Sequence, residues 1–81
     1  MRSIHDPRYQ DLIKKLIELR ESKNVTQVEL ARRLNKPQSY VAKVEILERR
    51  IDIIELFDWL HFLEVDPVIF IKGLNSFCND R

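Results

Sequence analysis

Residues 26–45 read TQVELARRLNKPQSYVAKVE, and this stretch describes two short helices joined by a tight turn. Thr26 is placed to cap the first helix, and Glu29 three residues later is placed to complete a capping box. Leu30 and Leu34 form the inward face of that helix, and Ala31 is small where two crossing helices approach closely. Asn35 falls at the turn, where the backbone needs positive φ and Asn tolerates it better than most residues. Pro37 pre-sets φ for a second helix start. Val41 and Val44 are three apart and so face inward together. Gln38, Ser39, Tyr40, Ala42, Lys43 and Ile46 lie away from those two, and several of them are polar.

Working outward, Asp6-Pro7 opens a helix, with Asp6 as N-cap and Pro7 at the first helical position. Leu12, Ile13, Leu16, Ile17 and Leu19 follow at helical spacing, and Ser22-Lys23-Asn24 ends the run. Downstream, Asp52 with Glu55 repeats the capping logic for a fourth helix carrying Ile54, Leu56, Phe57, Trp59, Leu60 and Leu63. Asp66-Pro67 opens a fifth with Val68, Ile69, Phe70 and Ile71, and Gly73 breaks or ends it. No stretch alternates convincingly as a strand. The expected fold class is all-α, a compact bundle of five short helices within one domain spanning residues 1–81.

An 81-residue chain buries only roughly 60% of its unfolded surface. The 44% hydrophobic content, with one Gly and three Pro, is that of a globular chain and not a disordered one. No apolar run approaches the ~20 residues of a membrane span, and the N-terminus has no signal-peptide pattern. The single cysteine, Cys78, leaves no partner for an internal disulfide and fits a reducing cytoplasm. The net charge of +1 conceals an uneven distribution. Residues 14–50 hold ten Lys and Arg against five Asp and Glu, whereas residues 51–81 hold two against six. A basic segment thus surrounds the second helix of the turn motif, and an acidic one follows. Phosphate attraction depends on that local field more than on the total.

With the T-Q-x-E-L-A run (Thr26–Ala31) and the Q-S-x-V-x-K-x-E run (Gln38–Glu45) at this spacing, the chain resembles the Cro/phage-repressor (XRE-type) helix-turn-helix regulators. The likeness extends from Leu16-Ile17-Glu18-Leu19-Arg20 to Leu63-Glu64-Val65-Asp66, covering roughly residues 10–70. It implies a lambda-repressor-like DNA-binding fold with the motif at about 26–47. It further implies a sequence-specific transcriptional regulator, a repressor binding a palindromic operator as a homodimer with helix 3 in the major groove of double-stranded DNA. The alternative is a protein-interaction module or antitoxin built on the same helices. Two positions depart from the family pattern. Asn35 stands where the turn usually has Gly, and Leu47 stands where E-x-G-x-R would put one. Leu adopts the left-handed conformation only at a cost, so helix 3 is expected to run longer or to end without that cap.

Gln38 is the first candidate for base reading, because a Gln amide matches the N6 donor and N7 acceptor of adenine. The bland alternative is a surface or capping residue. Ser39 suits almost any base edge or phosphate. Lys43 either donates to guanine O6 and N7 or neutralises a phosphate. Tyr40 offers a hydroxyl for a phosphate and a ring for a thymine methyl, or else packs against helix 2. Gln27, at the positive end of helix 2, is a candidate for anchoring the DNA backbone, with Lys36 in the turn as a second clamp and Arg49 as a weaker candidate. The resemblance pairs Arg20 with Glu45 as a partly buried ion pair tying helix 1 to helix 3, an orienting role. The residues Val68, Ile69, Phe70, Ile71, Leu74 and Phe77, on a C-terminal helix at about 66–77, either supply a subunit interface or close the monomer core. His5, His61 and one Cys make no metal spacing, one Gly makes no phosphate loop, and no nucleophile motif is present. Neither enzymatic activity nor a cofactor is expected, and Phe57, Trp59 and Phe62 are expected in the core.

Overall fold

The computed structural model describes residues 3–74. After a 3-10 turn at Ser3–His5 come five helices: α1 (Pro7–Ser22), α2 (Gln27–Leu34), α3 (Gln38–Glu45), α4 (Ile53–Phe62) and α5 (Pro67–Lys72). No strand occurs among the described residues. The starts follow the chain's own capping chemistry. The Asp6 side chain accepts from the Arg8 N–H ahead of α1, and that of Asp66 from the Val68 N–H ahead of α5. Asp52 and Glu55 form a complete capping box at α4. The box at α2 is only half made: Thr26 Oγ1 accepts from the Glu29 N–H, but the Glu29 carboxylate turns to Arg32 and Arg33. Two guanidiniums outcompete one backbone N–H for that anion.

Four helices end on left-handed residues that are not glycine: Asn24, Asn35, Leu47 and Glu64, with φ between 58° and 67°. Each end makes the two backbone bonds of a Schellman motif. At α3 these are Glu48 N–H to Lys43 O (2.8 Å) and Leu47 N–H to Val44 O (3.1 Å). The expectation that Leu47 would forgo the cap is therefore corrected. The paired carbonyls and the packing of its side chain against the core outweigh a backbone cost of roughly 1–2 kcal/mol. Gly73, the chain's one glycine, has a right-handed backbone and caps α5.

Packing of α2 against α3 and α4, and of α1 against α3, encloses a core centred on Leu16, Leu30, Val41, Val44, Trp59, Leu60 and Leu63, each 0% exposed. Phe70 and Leu74 close its C-terminal side. Phe57 does not join them. It is 41% exposed, because the inward face of α4 is Leu56, Trp59, Leu60 and then Leu63, which turns position 57 outward. Val68, Ile69 and Ile71 are exposed as well, while Phe77 and Cys78 lie outside the described residues. After α3, the Ile51 N–H donates to Tyr9 Oη on α1 (3.1 Å) and the Ile51 side chain is buried. This anchor sets the course of the 47–51 segment and brings Arg49 back over α3.

Candidate nucleic-acid interface

The outward face of α3 carries Gln38, Ser39, Ala42, Lys43 and Ile46, the spacing of one helical face. All but Ala42 are exposed, and Ala42 is half-buried. Opposite them, Tyr40, Val41 and Val44 point into the molecule. Among the described residues Lys43 makes no ion pair, so its charge faces solvent.

Gln38 is held by a relay of hydrogen bonds that runs inward from the surface. Its Nε2 donates to Gln27 Oε1 (2.8 Å), and Gln27 Nε2 donates to Glu45 Oε1 (2.8 Å). Glu45 in turn receives Arg20 Nε (2.7 Å) and Nη2 (3.0 Å) in a two-pronged pair. Arg20 completes the chain by donating Nη1 to Val25 O (2.8 Å). Arg20 and Glu45 side chains are only 10% and 6% exposed, so each ion is satisfied where water is scarce. One consequence is directional. With one Gln38 N–H committed to Gln27, the amide oxygen and the second N–H remain for an outside partner, which is the donor–acceptor pair that adenine's major-groove edge requires. Gln27 spends its oxygen and one N–H on this relay and acts as its middle link.

Tyr40 requires a correction. It is 8% exposed, and its hydroxyl accepts from Trp59 Nε1 (3.2 Å) and donates towards Glu55 Oε2 (3.4 Å). The ring packs edge-on to Trp59 of α4, and both hydrogen bonds of the hydroxyl run to α4, so it is not offered to a phosphate. Because α3 begins at Gln38, positions 40, 41 and 44 share the inward stripe, and a buried indole N–H needs an acceptor there. Burial pushes the phenol above its ordinary value, so it stays protonated at neutral pH. Ile46, 61% exposed, holds the apolar place on the α3 face that the sequence reading gave to Tyr40. Its position one turn beyond Ala42 was visible in the sequence, but an apolar side chain gave no reason to single it out.

The basic segment is less free than its composition implies. Arg32 and Arg33 share Glu29, Arg33 also donates to Phe62 O (2.8 Å), and Arg20 is the buried ion described above. Lys36 and Arg49 both lie over the Tyr40 ring, at 5.3 and 4.8 Å from its centre. No group of His, Cys, Asp and Glu able to hold a metal occurs among the described residues. Nor is any of their helices long and apolar enough to cross a membrane.

Two helices joined by a turn, the second with an outward polar face and a braced Gln at its start, define a helix-turn-helix protein. The helix-turn-helix family model matches residues 16–70. A solved structure described as an XRE-family like protein from Pseudomonas syringae pv. tomato str. DC3000 superposes with a TM-score of 0.84 at 43% identity, covering 93% of this chain and 92% of that one. No curated protein matches the chain. The chain belongs to the XRE-type helix-turn-helix family, as the motif residues Thr26–Ala31 and Gln38–Glu45 had implied.

Proposed function

We propose that this chain is a sequence-specific DNA-binding regulator of transcription, a cytoplasmic repressor that acts as a homodimer on a palindromic operator. The observation carrying this reading is the outward face of α3, where Gln38 enters oriented by the relay through Gln27, Glu45 and Arg20. On this reading Gln38, Ser39 and Lys43 contact base edges, and Ala42 and Ile46 supply apolar contact to thymine methyls. Lys36 and Arg49 contact phosphates, helped by the N-terminus of α2, whose positive dipole end attracts an anion. Gln27 supports Gln38, and Tyr40 lies beneath the surface. Arg20 and Glu45 orient α3 against α1.

The test is duplex binding followed by fluorescence anisotropy across a salt series. The expected result is binding that weakens linearly in a log–log plot, with a slope of about −0.9 for every phosphate neutralised. Binding that ignores salt, or none at low salt, contradicts the proposal. One observation favours a second reading, a module or antitoxin that binds protein: Ile53, Ile54, Val68 and Ile69 are all more than half exposed on the acidic side of the chain.

A further inference from the structure

We propose that Tyr40 and Glu55 form a seat that pre-positions Arg49 for one DNA phosphate, so that Tyr40 acts as a positioning residue for a contact it does not make. This rests on the DNA-binding reading above. The Arg49 guanidinium lies 4.8 Å from the Tyr40 ring centre, within the range of a cation over an aromatic face. Its Nη2 is 3.4 Å from Glu55 Oε2, and its Nη1 donates to Arg50 O (3.0 Å). Among the described residues its other N–H donors make no further hydrogen bond, and the side chain is 43% exposed.

The seat is itself immobilised. Glu55 Oε1 is bound to the Asp52 N–H in the α4 capping box, which leaves Oε2 as the wall facing Arg49 and Tyr40. The Tyr40 hydroxyl is tied to the buried Trp59 indole. A flexible cation that must order itself on binding loses rotamer entropy, and one already stacked on a ring loses less. The fold therefore links a core hydrogen bond, Trp59 to Tyr40, to a surface cation through one aromatic ring. Lys36, over the same ring at 5.3 Å, is a point charge without a plane to stack, so Arg49 gains more from the seat.

The experiment is a double-mutant cycle in duplex affinity. Arg49→Ala should weaken binding to every sequence roughly tenfold, the weight of one charge-assisted contact. In a Tyr40→Leu background the same truncation should have little further effect. Tyr40→Phe, which keeps the ring but frees it from Trp59, should restore most of the Arg49→Ala factor even if the protein melts lower. If Arg49→Ala costs the same factor with and without the ring, Tyr40 is only a core residue and the proposal fails. Should Tyr40→Leu not fold, Arg49→Lys decides. It keeps the charge and disturbs no core, so loss of most of the factor supports the seat, and wild-type affinity overturns it. A wild-type protein that binds no duplex at low salt overturns the DNA-binding reading and the seat together, whereas tight wild-type binding with no coupling overturns the seat alone.

Discussion

The Gln38 amide takes its orientation from Gln27, and Gln27 takes its own from Glu45. These three residues therefore act as a unit, and their substitutions should not add. Gln38→Ala should cost ~1–3 kcal/mol at a single base pair and relax specificity there. Gln27→Ala should cost part of that at the same base pair, and the double variant no more than Gln38→Ala alone. Affinities for an operator and for its single-base variants check this. Full additivity would mean that Gln27 makes its own DNA contact and that the relay is incidental. Of these residues, the motif put Gln38 at the exposed start of α3, and family likeness brought Arg20 and Glu45 together. The hydrogen bonds linking the four were not legible, since they depend on how α3 packs against the start of α2 and the end of α1. Tyr40 was only half legible: its place beside Val41 and Val44 follows from the start of α3, but its role as an acceptor depends on an indole N–H nineteen residues downstream.

At the level of single elements, helix starts were easier to read than helix ends. Asp6-Pro7, Asp52 with Glu55, and Asp66-Pro67 announce their helices because an N-cap side chain acts within three residues of itself. The ends depend on backbone conformation: Glu64 gives no sign in the sequence that it takes positive φ, and at Leu47 the one sign is the Gly that the family pattern puts there. A prediction distinguishes the two. Glu64 is exposed, so Glu64→Gly should relieve backbone strain without loss of packing, adding ~1 kcal/mol and raising the melting temperature by about 4–8 °C. Leu47→Gly should gain less or lose, because the Leu47 side chain packs against the core. Thermal melts of both variants test this, and a destabilised Glu64→Gly would show that its backbone is not strained.

The carboxylate at the start of α2 ties stability to pH. Hydrogen bonds from Arg32, and then from Arg33, hold Glu29 at about 2, below its ordinary 4.5. Arg8 does the same for Asp6 ahead of α1, through its side chain first and its backbone N–H second, lowering it from 3.8 to about 2. A carboxylate depressed in the folded state binds protons more readily when unfolded. Its contribution is thus complete above the ordinary value and is lost as pH falls through about 2. Stability should decline between pH 4.5 and 2, and Glu29→Gln should make that decline shallower. Chemical denaturation at several pH values measures it, and an unchanged pH profile in Glu29→Gln would show that these arginine contacts are not kept in solution.

Across the whole molecule, exposed apolar surface is concentrated on α4 and α5. The α2–α3 side exposes Val28 and Ile46 among polar residues, while α4 and α5 expose Ile53, Ile54, Phe57, Val68, Ile69 and Ile71. The all-helical XRE-type fold was legible from the turn motif and its flanking helices. The division of the C-terminal apolar residues was not, because a run such as Val68-Ile69-Phe70-Ile71 offers an apolar side chain to every direction. Only the packing selects Phe70 and Leu74 for the core. If the remainder joins two copies, the protein should have about twice the 9.8 kDa protomer mass in solution, and Ile69→Glu should return it to the monomer with loss of binding to paired half-sites. Sedimentation equilibrium decides between these, and a wild-type monomer both alone and on DNA would rule out the dimer.

Whether the α3 face reads DNA sequence is decided by in vitro selection from a random duplex library near physiological salt. Enrichment of a palindrome whose half-sites lie about one helical turn apart, ~34 Å between centres, is expected. A folded, active preparation that enriches no sequence would contradict sequence reading by α3, and would turn attention to a protein partner on the apolar α4 and α5 surface.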